Sequence, residues 1–150
     1  MTRNELLTYY VSHCQKTLAN HARAKRFLEK NGVSKEFVSD TFLLGYSDGS
    51  ILEYCRENEP LRSELERGGL LQNGRDLFKG CIIIPVFDEN KEPVNIVGYS
   101  IHSQKKERMI SLRSDGIFNA PFLKNCSDVI FTNNPLTALM LIAAEVPNTT

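Results

Sequence analysis

Apolar residues recur at three-to-four spacing through the first part of the chain, a period that predicts helices over 4–18 and 19–30. Leu6, Leu7, Tyr10, Val11 and Cys14 fall on one face of the first, and Ala24, Phe27 and Leu28 on one face of the second. Asn31-Gly32 stops the second helix, and Ser34 is placed to cap a short third one whose Phe37 and Val38 face inward. A strand-like run follows at 42–46. Ser50 is placed to cap a helix running to Cys55. Pro60 stands where the first turn of a further helix, ending at Gly68-Gly69, tolerates a residue without an amide hydrogen.

The period then changes. Residues 81–87 form a continuous, largely β-branched run, 88–92 a polar turn and 94–101 a second strand, which together read as a hairpin. Pro85 inside the first run implies an edge position or a bulge, because it has no N–H for a ladder. A charged connection at 103–108 leads to a third strand over 109–112. The closing stretch from Asp128 reads as a buried strand, a tight turn at Asn133-Asn134 and an apolar helix to about Val146. Helices, then antiparallel strands, then a βα step predict an α+β fold: a helical N-terminal half, antiparallel strands, and a βα unit at the end. No internal repeat or low-complexity linker interrupts it.

Composition narrows the function classes. The 150 residues are 41% apolar and 24% charged, the profile of a globular chain with a real core. Eighteen basic and eighteen acidic side chains give zero formal charge, so any polyanion site is a local patch. No apolar run is long enough to span a bilayer, and the N-terminus lacks the apolar core of a signal peptide, so a cytoplasmic location is expected. Cys14, Cys55, Cys81 and Cys126 stand 26 to 45 residues apart, without the close pairs that hold structural zinc, and are expected to be reduced thiols. His13, His21 and His102 are similarly scattered.

The ordered segments carry a family resemblance. The run from Ala22 through Phe27-Leu28 to Asn31-Gly32-Val33-Ser34 is followed by Phe42-Leu43-Leu44-Gly45-Tyr46-Ser47 and Gly68-Gly69-Leu70-Leu71. Next come Leu77-Phe78-Lys79-Gly80-Cys81, Ile82-Ile83-Ile84-Pro85-Val86-Phe87-Asp88 and Ile96-Val97-Gly98. In order and spacing the set resembles the N-terminal subdomain of the bacterial-type DNA primase catalytic core, over about residues 19–146. The resemblance implies a division into a primase-like subdomain, 1–126, and a truncated, degenerate toprim-like βα element, 127–150. Asn133 then stands where that family has a metal-binding Glu, and the later Asp-x-Asp pair has no counterpart before Thr150. A neutral amide is a poor substitute for a carboxylate on a hard cation. The implication is that this chain carries no cofactor, magnesium or manganese being expected only in an intact family member.

The resemblance also places the basic residues. The family's Arg-Phe-Arg-x-Arg becomes Leu77 to Cys81, leaving Lys79. Arg108 falls at a family Lys, and His102 falls near a family Arg. Lys79 and Arg108, with Lys105, Lys106 and Arg113, are the candidate nucleic-acid-binding residues, because phosphate neutralisation needs cations. Each also has a plain reading: Lys79 and Arg108 as solvated strand-end charges, the 105–113 stretch as a solvated loop, and Asn133-Asn134 as turn formers. His21, Arg23, Lys25 and Arg26 read as a solvated helix face. The resemblance implies a DNA primase-like replication protein, of the kind a mobile element carries, that binds single-stranded template DNA or nucleotide and is not competent for primer synthesis alone. A replication helicase or other replication protein would be its partner. The alternative is a degenerate, non-catalytic module serving protein interaction or regulation.

Overall fold

Thr2 starts the first helix: its hydroxyl accepts the Glu5 amide at 3.2 Å while the Glu5 carboxylate accepts the Thr2 amide at 2.6 Å, a reciprocal cap. In this computed structural model, the described residues are 1–33, 36–102, 109–113, 116–123, 126–145 and 149–150. The cap opens α1 (Arg3–Ala19), followed by α2 (Ala22–Lys30), α3 (Glu36–Phe42), β1 (Gly45–Ser47), α4 (Ile51–Cys55) and α5 (Glu59–Arg67). A small hairpin, β2 (Leu71–Gln72) and β3 (Arg75–Asp76), precedes β4 (Cys81–Phe87), β5 (Pro93–Ser100) and β6 (Met109–Ser111). Two helices, α6 (Ala120–Leu123) and α7 (Pro135–Ala143), close the fold. The α+β expectation holds.

One antiparallel sheet, in the order β1-β4-β5-β6, organises the rest. Strand β4 is buried along both faces, which is why its sequence is continuously apolar rather than alternating. Ile82 and Ile84 pack with Ala24 and Leu28 of α2, Val38 of α3 and Leu139 of α7. Cys81 and Ile83 pack on the other face with Leu7, Tyr10 and Val11 of α1, Ile51 of α4 and Leu65 of α5. Helix α1 lies very close to β1: a Cβ on Gly45 would stand 2.6 Å from Cys14 Cβ and 2.8 Å from the Cys14 carbonyl carbon.

Several expectations are corrected. Phe42 ends α3 instead of starting a strand, and Leu43, with φ of 52°, turns the chain so that β1 starts at Gly45. Phe37 is exposed while Val38 is buried, since neighbours on a helix point about 100° apart. The expected cap Ser34 lies outside the described residues. Ser50 precedes α4 but makes no side-chain cap. Pro85 sits in a central strand opposite Ile96, so the edge alternative fails, while the bulge alternative is met one residue on, where the register shifts between Val86 and Phe87. The Ile96 carbonyl accepts the Leu112 amide, so Ile96 points its polar backbone toward β6 and the pair shares no ladder bond. The Pro85 nitrogen thus faces the β1 side, where β1 has already ended at Gly45, opposite Ile83. The buried closing strand does not form: Ile130 makes one isolated parallel bridge to Thr149, and Phe131 is 81% exposed. Asn134 nonetheless caps α7, accepting the Thr137 amide at 2.9 Å.

Candidate nucleic-acid interface

Lys79 is held by a buried polar knot. The Asp76 carboxylate, 5% exposed, accepts the Tyr10 hydroxyl at 2.6 Å, the Ser47 hydroxyl at 2.5 Å and the Phe78 amide at 2.9 Å. It thereby ties α1, β1 and the β2–β3 hairpin together. The Lys79 amide donates to the Asp76 carbonyl at 3.3 Å, and the next amide, Gly80, donates to the Ser47 carbonyl at 2.7 Å. Gly80 has φ of 83°, a backbone conformation that favours glycine, and a Cβ there would lie 2.8 Å from His102 Nε2, so the ring would have to move for any other residue. Carbons of the Lys79 stem run beside Gly49, where a Cβ would meet Cδ at 3.0 Å. The side chain is exposed and aims a cation at solvent from a fixed backbone.

The same knot sets the local electrostatics. Burial pushes the Tyr10 hydroxyl and Cys14 thiol well up from their ordinary values, and the Asp76 charge pushes the same way. His13 Nε2 lies 3.0 Å from Ser50 Oγ, and its ring stands edge-on to Tyr54 at 5.2 Å. Burial lowers the His13 pKa against the opposing pull of Asp48 and Asp76. Burial works to raise the Asp48 carboxyl, but hydrogen bonds from Ser50 and the nearby His13 outweigh it and hold the group below its usual range.

The remaining predicted residues do not gather in one place. Arg113 follows β6, its amide donating to Asn95 Oδ1 at 2.9 Å and its carbonyl accepting Asn95 Nδ2 at 2.7 Å. Asn95 pairs with Val86, whereas Lys79 precedes Cys81, which pairs with Ser100. Arg113 therefore anchors about 16 Å along the sheet from the Lys79 end, at ~3.3 Å per residue. Lys105, Lys106 and Arg108 lie outside the described residues. The flanking His102 stands against Gly80, and Met109 pairs with Tyr99, at the Lys79 end.

Asn133 is exposed in the turn before α7, with Oδ1 accepting Asn134 Nδ2 at 3.1 Å. Among the described residues no three His, Cys, Asp or Glu side chains stand close enough to hold a metal. Asn133 offers one neutral amide oxygen, a weaker ligand for a hard cation than a carboxylate.

Arg23, Arg26 and Lys30 line one groove of about 410 Å³ with Phe27 and Ile101. The first two were visible in sequence as a solvated face, and Lys30 was passed over. The signal that joins them is spacing at i, i+3 and i+7 on one helix.

No protein-family model and no curated protein matches the sequence. Solved structures do. A DnaG catalytic core matches with a TM-score of 0.82 at 16% identity, covering 99% of this chain and 53% of that one. This chain has the fold of a bacterial primase core. The Aquifex aeolicus primase, comprising zinc-binding and RNA polymerase domains, matches at 0.76 with 20% identity over 99% of this chain and 42% of its own. A DnaG primase catalytic domain bound to single-stranded DNA matches at 0.79 with 14% identity, over 98% of this chain and 52% of its own. The chain thus spans about half the length of the solved primase chains it matches. Within the primase fold, Lys79 enters β4 and Asn133 precedes α7.

Proposed function

We propose that this chain is the primase-fold part of a replication protein, binding single-stranded template DNA or nucleotide without synthesising primers on its own. The observation that carries the reading is the match to primase cores along essentially the whole chain, one of those cores being bound to single-stranded DNA. Lys79 supports it, since a cation on a fixed, glycine-flanked turn suits phosphate contact. Asn133 supports the loss of catalysis, because primer synthesis in the family calls for a metal-binding carboxylate at that turn. In this reading magnesium or manganese serves only intact relatives, the 127–150 segment is a degenerate toprim element, and a replication helicase in the cytoplasm is the natural partner. No described helix is long and apolar enough to cross a membrane.

The test is anisotropy of labelled single-stranded DNA at two salt concentrations, with wild type and the Lys79→Ala, Arg108→Ala double variant. Salt-sensitive binding that the variant loses is expected. No binding at low salt would overturn the reading. It would favour the second one, a protein-interaction module, for which the specific observation is an apolar groove of about 420 Å³ lined by Phe42, Phe118 and Phe122, with Phe122 exposed at its edge.

A further inference from the structure

We propose that the solvent face of α2 is a second contact track for single-stranded nucleic acid, holding its phosphates on Arg23, Arg26 and Lys30. The inference rests on the nucleic-acid reading above and assigns residues that reading does not use. Arg23, Arg26 and Lys30 are exposed and make no ion pair with a described residue, the ion pairs there being Arg62–Glu66 and Arg67–Glu64. Glu29 lies three residues after Arg26 and borders the track on one side, but it makes no ion pair with Arg26 and lines a different cavity with Lys25. From Arg23 to Lys30 the helix rises about 10 Å, room for roughly three stacked nucleotides at ~3.4 Å each.

Two further features point to a nucleic-acid strand as the occupant. The groove has an apolar floor: Phe27 is half-buried, its ring 6.0 Å from Tyr99, beside Ile101, which gives a base something to stack on. The elements that carry the groove also touch those that carry Lys79, in two places. Ile101 in the groove is followed by His102, which stands against Gly80. His21, at the start of α2, stacks on Tyr46 at 4.3 Å, and the next residue, Ser47, receives the Gly80 amide. The α2 track and Lys79 are thus carried by elements packed on one another, and a strand long enough to reach both would meet cations at each.

The deciding experiment measures anisotropy of labelled oligothymidylate over a salt series with wild type, Lys79→Ala and the triple variant Arg23→Gln, Arg26→Gln, Lys30→Gln. Each lost phosphate contact removes about 0.7 from the slope of log K against log salt for a single strand, so the triple variant is expected to lose about 2. A double Arg23→Lys, Arg26→Lys variant should keep the wild-type slope, and circular dichroism melting verifies that the variants are folded. A folded triple variant with an unchanged slope overturns the α2 track while leaving the Lys79 reading intact if Lys79→Ala still weakens binding. No binding by wild type overturns both. Binding to anionic phospholipid vesicles that the triple variant loses, with DNA binding unaltered, overturns the track in favour of a membrane surface.

Discussion

Replacing Asp76 by alanine should unfold this protein more readily than almost any other single polar substitution. Its carboxylate is the acceptor for the hydroxyls of Tyr10 and Ser47 and for the Phe78 amide, three donors on residues that are 0%, 2% and 0% exposed. A buried donor left without a partner costs about 1–3 kcal/mol. Relief from burying the carboxylate and local relaxation offset part of the sum, so Asp76→Ala should cost about 3–5 kcal/mol. For a chain of this size each kcal/mol moves the melting temperature by about 2–4 °C, which predicts a drop on the order of 10 °C. Asp76→Asn should be milder, at about 1–2 kcal/mol, because one amide oxygen still accepts and the Ser47 hydroxyl accepts from the new NH2 group. Urea unfolding followed by far-ultraviolet circular dichroism reads both, and a Tyr10→Phe cycle should show coupling of about 1 kcal/mol or more between the two residues. An Asp76→Ala protein within about 1 kcal/mol of wild type would refute the assignment of this knot as the tie between α1, β1 and the hairpin.

Two further predictions use the same assays. Gly45→Ala pushes a methyl into Cys14 Cβ at 2.6 Å and the Cys14 backbone at 2.8 Å, so α1 must move off β1; a loss of about 1–3 kcal/mol is expected, and no loss would show that this helix is free to shift. On pH, burial holds His13 below its ordinary value, so its contribution is present above the unfolded-chain value of about 6.5 and is lost as pH falls through the folded one. Tyr10 and Cys14 shift the other way, so their stabilisation is present below the unfolded thiol value of about 8.5 and declines as pH rises beyond it. Urea midpoints should therefore fall on both sides of neutrality. His13→Gln should flatten the acid limb between about pH 5 and 6.5, where carboxylates are still ionised.

What the sequence determined by itself is the succession of elements. Three-to-four periodicity located α1 and α2, the apolar run at 81–87 located β4, and Asn134 located the start of α7, because these signals are local and backbone propensity acts over a few residues. The ordered primase-like segments likewise pointed to the fold that the solved structures match. The β2–β3 hairpin is absent from the sequence reading although a signal for it exists: Asn73 and Gly74, with φ of 52° and 72°, form the Asn-Gly turn that favours two-residue hairpins, but its two-residue strands carry no alternation. Tertiary structure alone decided the rest. A polar residue between Arg75 and Leu77 gives no sign of burial; Asp76 is buried because helix, strand and hairpin meet there with three donors. Pro85 is tolerated in a central strand only because β1 stops short, a matter of pairing length that no local pattern encodes. Residues 129–132 look like a buried strand in isolation, yet burial requires a partner ladder, and the described residues supply a single bridge. The candidate site divides in the same way. Each cation is visible as a letter, but the sheet register is what separates Lys79 from Arg113, and the packing of α2 on the sheet is what sets Arg23, Arg26 and Lys30 beside Ile101.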